Sequence, residues 1–316
     1  MIRSSRRPAP CNGHFFILDD VCKSFHKLRN NYAWWSYFIA FIASLPLEGS
    51  AIGGHQRTLG KDSEQLMKRI GWFTTARGPG SYNLFTTMLD RLRKGEINAQ
   101  LSFVFINRDV RGNEYRKKII ELAQADGVPV ILFPSDTFMP ELKEKRMDEW
   151  REAYGKGVRE RIAEHPMDFG VLAGYMLIID PQTCREHDLI NLHPALPDSY
   201  KGTWEEIVGK VVENNDRSYG ATVHVCSPEL DRGSIIAFDS FDIDPLRPKY
   251  PTKEELVKGI RAEEVRREVP LLMETIRMIV EGEVTLRTGQ VLDRQGRRRR
   301  DYPDLAEKVT RVLNGK

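Results

Sequence analysis

The sequence predicts an α/β fold: an open, mostly parallel sheet with helices on both faces and an antiparallel edge. Two observations carry this. From residue 70 onward, apolar runs of strand length alternate with amphipathic stretches of helix length, the pattern of parallel strands joined by helical crossovers. After a helical stretch at 204–214 the alternation stops. Two strand-like runs, 220–225 and 234–242, then follow each other across a short polar loop, which predicts antiparallel pairing.

Taken in order, Ile70 to Ala76 reads as the first strand and ends in a glycine loop. Tyr82 to Arg93 reads as a helix, with Leu84, Met88, Leu89 and Leu92 on one side. Leu101 to Asn107 is an apolar run suited to a buried strand, and Asn113 to Ala125 has helical spacing at Ile119, Ile120 and Ala123. Val128 to Phe133 reads as a strand, and Leu142 to Ala163 as one long charged helix. Phe169 to Ala173 and Leu189 to His193 are further strands. Right-handed crossovers are expected throughout, giving a Rossmann-like arrangement. Thr252 to Glu281 reads as one long helix with a kink or break at Pro270.

Length and composition set the outer limits. The chain has 316 residues, enough for a buried core in one large domain or two modest ones. A net charge of +3 gives little pull on nucleic acid, so none is expected as a partner. Cys11, Cys22, Cys184 and Cys226 lack zinc-ligand or redox spacing. They read as isolated reduced thiols in a cytoplasmic protein without a metal. The apolar run Trp34 to Leu47 is about fourteen residues long, short of the roughly twenty that a membrane-spanning helix needs. No membrane association is expected.

Three regions follow. Residues 1–66 show no clear period and read as a poorly structured N-terminal extension; Met67-Lys68-Arg69-Ile70 then has the look of a natural protein start. Residues 67–290 form the main domain. Residues 291–316 are expected as a basic C-terminal tail, with Arg297 to Arg300 in solvent.

The chemistry-bearing residues sit late in the chain. Asn191 and His193 lie two apart at the end of a strand, so they project to the same side. Ligands of open parallel sheets gather at that end of the strands. The Asn191 amide can donate to a developing oxyanion, and His193 can supply a proton or a positive charge near neutral pH. Asp231 lies in the loop Glu229-Leu230-Asp231-Arg232-Gly233, and a carboxylate near an imidazole raises its pKa and fixes its tautomer. The three residue types make an acyl-transfer site that needs no protein nucleophile, and no Gly-x-Ser-x-Gly elbow is present to supply one.

In this order and spacing, Asn191-x-His193-Pro194, Gly202, the run 220–225 (GATVHV) and the run 229–233 (ELDRG) resemble the 10-formyltetrahydrofolate-dependent formyltransferases, glycinamide ribonucleotide formyltransferases above all. The resemblance spans about residues 68 to 290. It implies the formyltransferase fold and formyl transfer to an amine, with glycinamide ribonucleotide as the first expectation for the acceptor. It also implies roles for single residues. Asn191 would hold the tetrahedral oxyanion, His193 would add charge and shuttle a proton, and Asp231 would hold His193 charged. Leu172, Ala173, Gly174, Tyr175 and Met176, with Leu230, would line the pocket of the formyl donor 10-formyltetrahydrofolate. Gly78, Gly80, Ser81, Tyr82 and Asn83 resemble the family's phosphate loop. Glu264 would face the acceptor, and His224 would support the site from behind.

The chain departs from the family pattern at four places. Tyr82 is an extra residue in the phosphate loop, and Leu177 stands where the family carries an arginine. Glu264 lies one residue further from Pro270, and Pro197 comes one position early. These changes fall on the acceptor side or the pocket rim. The same residues also allow another amine, such as an amino sugar on a nucleotide. They allow hydrolysis of 10-formyltetrahydrofolate, or a non-catalytic folate-binding regulatory protein. A non-catalytic binder has no need of Asn, His and Asp together.

Overall fold

The structure is a computed structural model that describes residues 67–229 and 232–315. The extension expected at 1–66, and the apolar run inside it, lie outside the described residues.

The strands are β1 (Lys68–Thr74), β2 (Ala99–Ile106), β3 (Val130–Leu132), β4 (Phe169–Leu172), β5 (Leu189–His193), β6 (Ser218–Val225) and β7 (Ile235–Asp242). Among the described residues these seven form one sheet in the order β3-β2-β1-β4-β5-β6-β7. β1 to β5 run parallel, and β6 and β7 pair antiparallel at one side. The expected α/β fold with an antiparallel edge is therefore observed. Each strand of the centre is apolar on both faces, as parallel strands covered by helices must be. One face buries Ile70, Trp72, Val104, Phe85, Met88 and Ile276; the other buries Phe73, Phe103, Phe105, Trp150, Tyr154 and Leu189.

The helices are α1 (Pro79–Arg93), α2 (Glu114–Ala125), α3 (Pro140–Lys145), α4 (Met147–Ile162), α5 (Pro181–Glu186), α6 (Trp204–Glu213), α7 (Lys253–Val280) and α8 (Ala306–Leu313). Local chemistry starts several of them. The Asn113 side chain accepts the Arg116 N–H at 2.9 Å at the head of α2. Thr203 with Glu206, and Thr252 with Glu255, form capping boxes at α6 and α7.

Four expectations are corrected. The single helix over 142–163 is two helices, α3 and α4, broken at Arg146, whose φ of −145° and ψ of 71° are not helical. Burial decides the break. Trp150, Tyr154, Val158 and Ile162 of α4 recur every four residues and are all buried, whereas α3 buries none. Tyr154 stacks on Phe133 at 4.5 Å and on Trp150 at 5.0 Å, and the Trp150 indole donates to the Phe138 carbonyl at 2.7 Å. Seating that aromatic face fixes the axis of α4, while α3 adds only the half-buried Leu142 to the same core.

The long helix α7 runs through Pro270 without a break. The proline removes one backbone donor, but Leu271, Leu272, Met273, Thr275 and Ile276 just after it are all fully buried and keep the helix seated. The short helix α5 was not expected; Asp180 caps it by accepting the Gln182 and Thr183 N–H groups, each at 3.2 Å.

The fourth correction is the C-terminal tail. Residues 285–292 form a hairpin of β8 (Thr285–Arg287) and β9 (Gln290–Leu292), and α8 follows. The segment before α8 covers the outer edge of β7: the Phe238 N–H donates to Pro303 at 3.1 Å, and the Leu305 N–H donates to Phe238 at 2.8 Å. Leu305 and Val309 are buried. Arg267 of α7 forms a buried bidentate pair with Asp239 of β7, at 2.6 and 2.7 Å, and reaches the Thr310 hydroxyl at 3.3 Å. The tail thus carries a strand end and a docked helix, while Arg297, Arg298 and Arg300 are exposed as expected.

Candidate active site

The strand order reverses between β1 and β4. Such a switch point leaves a crevice at the carboxyl ends of the strands. Two turns meet there. Gly174, after β4, has φ of +66°, and a Cβ placed on it would lie 3.3 Å from the Ser81 Cβ at the start of α1. The Thr75 N–H donates to the Gly174 carbonyl at 3.1 Å, and the Met176 N–H donates to the Thr75 hydroxyl at 2.8 Å. Segments 78–83 and 172–176, separate in the sequence, are thus packed on each other.

Segment 78–83 is a helix start rather than a free loop. Gly78 caps α1 and Pro79 opens it, so Gly80, Ser81, Tyr82 and Asn83 occupy the first turns. The Tyr82 N–H donates to the Gly78 carbonyl at 3.2 Å, and so does the Ser81 hydroxyl at 3.0 Å. Helical geometry leaves the Gly80 and Ser81 N–H groups without a preceding helical carbonyl, which is the arrangement an anion uses. The Tyr82 ring packs on Tyr115 at 6.0 Å, and Asn83 is exposed.

β5 lies beside β4, with Asn191 in register with Leu172. Across the antiparallel pair, Asn191 faces His224 and His193 faces Thr222. His224 is buried, with Nδ1 3.0 Å from the Val225 carbonyl oxygen and Nε2 3.3 Å from the Asn191 Nδ2. A carbonyl only accepts, so Nδ1 carries the proton and Nε2 accepts from the Asn191 amide. The His193 ring lies 6.2 Å from the His224 ring. Two hydroxyls of β6 hold the turn after His193: Tyr219 donates to the Pro194 carbonyl and Thr222 to the Ala195 carbonyl, both at 2.6 Å.

A cavity of about 440 Å³ opens beside these groups, a size typical of small-molecule sites. Leu172, Gly174, Tyr175 and Met176 line it together with Asn191 and His193. Its walls are chiefly apolar, with a few polar side chains among them, the usual make-up of a pocket for a small organic molecule. Ala173 is fully buried instead, with its N–H on the Phe73 carbonyl at 2.9 Å. Tyr175 borders the cavity, but its ring sits in the core, 6.3 Å from Phe73 and 6.4 Å from Phe105; burial pushes its hydroxyl well above the ordinary range. Leu177 also lines the wall. Sequence reasoning missed Thr203, Ser227, Cys184 and Cys226 in the lining. No motif marks them, and only the folding of distant loops brings them there. Burial pushes the Cys184 thiol up to about 11, so it stays protonated.

A second cavity, about 400 Å³, shares His193 and His224 and carries Tyr200, Lys201 and Arg232. Gly233 closes the loop after β6: a Cβ there would overlap the Val225 carbonyl oxygen, so only glycine fits. Leu230 and Asp231 lie outside the described residues. Glu264 is not brought to either cavity lining. It is buried on α7, with one carboxylate oxygen held by Arg261 and the other without a hydrogen-bond partner among the described residues.

A family profile described as formyl transferase matches residues 78–269, which hold nearly the whole of this site. The chain belongs to the formyl transferase family. It is an enzyme of that class, as the motifs implied. Among its relatives, the phosphoribosylglycinamide formyltransferase of Haemophilus influenzae is 25% identical over 225 residues, covering 70% of this chain and 91% of that protein. The family fold is also seen in a solved glycinamide ribonucleotide transformylase 1 from Symbiobacterium toebii, with a TM-score of 0.52 at 24% identity over 71% of this chain and 93% of that one. A formyltetrahydrofolate deformylase from Pseudomonas syringae pv. tomato has the same fold, with a TM-score of 0.53 at 23% identity over 72% of this chain and 66% of that one. Among the described residues, no helix is long and apolar enough to cross a membrane.

Proposed function

We propose that this enzyme transfers the formyl group of 10-formyltetrahydrofolate to the amine of glycinamide ribonucleotide, a step of purine biosynthesis. The observation that carries this reading is the Asn191 amide, held by buried His224 and lining a largely apolar cavity together with His193. One Asn191 N–H is committed to His224, and the other is left for the oxyanion that forms when the amine attacks the formyl carbon. His193, as imidazolium, adds positive charge next to that oxyanion. Asp231 holds His193 charged and takes the amine proton through water. The apolar cavity walls take the pterin ring. The Gly80 and Ser81 N–H groups at the head of α1 take the acceptor phosphate.

The acceptor assignment draws support from the Haemophilus influenzae relative, which covers most of this chain. The test is to incubate the protein with 10-formyltetrahydrofolate and a panel of amines and to follow tetrahydrofolate release. Release that depends on glycinamide ribonucleotide upholds the reading. Release with an amino sugar on a nucleotide moves the acceptor, and release without any amine replaces transfer by hydrolysis. Folate binding with no release would make the protein a regulatory binder.

A further inference from the structure

The arginine run of the C-terminal segment is not used by the site described above. The fold gathers it, with the hairpin and α8, around a separate groove of about 860 Å³. Every residue lining this groove follows residue 269, so it lies wholly outside the matched formyl transferase residues. The groove is preformed. Its walls are pinned by the buried Arg267–Asp239 pair, by Leu305 and Val309 in the core, and by a Lys308–Glu274 ion pair at 2.6 Å.

The cations and carboxylates of the groove are unequally engaged. Asp293 accepts the Gln295 and Arg297 N–H groups, each at 2.9 Å, and Asp304 accepts the Ala306 N–H and the Ser240 hydroxyl. Glu283 pairs with Arg277 at 3.1 Å. Asp301 and Glu307 point into solvent, their side chains 94% and 93% exposed. On the cationic side, Arg298 and Arg300 form no ion pair among the described residues. Arg294, Arg299 and Arg311 reach carboxylates only at 3.9, 3.9 and 3.8 Å, beyond hydrogen-bond length. Five arginines therefore line one groove with no side-chain hydrogen bond from their guanidinium forks among the described residues, two of them unpaired and three in long ion pairs. Forks of this kind match phosphate oxygens bidentately.

We propose that this groove binds a small ligand carrying a chain of adjacent phosphates, such as a nucleoside triphosphate or an inorganic oligophosphate. The groove is open to solvent, and its volume of about 860 Å³ is within the range of small-molecule sites. A single-stranded nucleic acid asks for aromatic platforms as well as charge. Tyr302, two residues after this run, is not part of the lining and packs on Phe238 at 5.8 Å.

Calorimetric titration of the full chain with sodium tripolyphosphate, ATP and a short single-stranded RNA tests this, with Arg298→Ser/Arg300→Ser as the variant. Both side chains are exposed, so the variant should keep the circular dichroism and the melting curve of the parent. Tripolyphosphate should bind the parent and bind the variant about tenfold or more weakly, since lost charge-assisted bonds of about 1.4 kcal/mol or more give that factor. Equal affinity for ATP and tripolyphosphate assigns recognition to the phosphate chain, and tighter ATP adds a nucleoside contact; both uphold the proposal. Absence of tripolyphosphate binding overturns it, as does equal binding by the variant. RNA bound more tightly than either small ligand, with a steep salt dependence, would replace it by a nucleic-acid surface.

Discussion

The Asn191 amide donates to Nε2 of the buried His224 at 3.3 Å, across the antiparallel pair of β5 and β6. This contact orients a residue at the cavity through one that substrate does not need to touch. His224→Ala should therefore lower kcat by about tenfold while KM for folate moves less, because the loss is in aim rather than in binding. Leaving Asn191 with one unmet partner should also cost about 1–3 kcal/mol of stability. Steady-state kinetics and urea unfolding of the same preparation check both parts.

Direct removal of the proposed catalytic groups should cost more. Asn191→Ala should raise the barrier by about 2.7–4 kcal/mol, the usual loss for one oxyanion donor. Asp231→Asn should fold normally and lose most formyl transfer. Near-normal turnover by Asp231→Asn would remove the assigned acid–base role.

Gly174 joins the two halves of the crevice. Its φ of +66° lies in the left-handed region, and Ser81 leaves little room for a side chain. Gly174→Ala should destabilise the fold by roughly 1–2 kcal/mol and raise KM for acceptor or folate, since both adjoining turns must shift. Equilibrium unfolding and the two KM values give the readout.

The Arg267–Asp239 pair anchors the C-terminal segment. Burial raises the Asp239 carboxyl above its ordinary range, which makes the paired guanidinium all the more necessary. Arg267→Met should cost about 3–5 kcal/mol, because it leaves a buried carboxylate without its partner. Hydrogen exchange should show residues 306–313 losing protection first, since Arg267 also reaches the Thr310 hydroxyl.

His187, at the end of α5, supplies a pH dependence. Burial pushes its imidazole below the ordinary value of 6.5, so the folded state holds it neutral. In the unfolded chain it takes up a proton near pH 6.5. The unfolded state thus binds more protons in the window just below that pH, and stability falls as the pH drops. Urea midpoints at pH 7.5 and 5.5 should differ more for the parent than for His187→Gln.

The strands and most helices were legible because burial imposes periods on the sequence. β5 spans Leu189 to His193, the bounds that the sequence predicts, since a covered parallel strand leaves an apolar run bounded by polar turns. The break within 142–163 is not legible in the sequence, because charge spacing does not reveal that Tyr154 stacks between Phe133 and Trp150. α8 was missed for a similar reason: its docking depends on Arg267 and Asp239, both far away in the chain.

The sequence by itself determined the α/β alternation, the antiparallel edge and the family, because these rest on local period and on short motifs in a fixed order. Tertiary structure alone decided which residues share the crevice. Gly174 meets Ser81 only because the strand order reverses between β1 and β4, and Asn191 finds His224 only because β6 turns back along β5. It also docked part of the expected basic tail, through Leu305 and Val309, while leaving Arg297, Arg298 and Arg300 exposed. Local propensity has no access to such contacts, since the free energy that forms them comes from surfaces buried between segments distant in the chain.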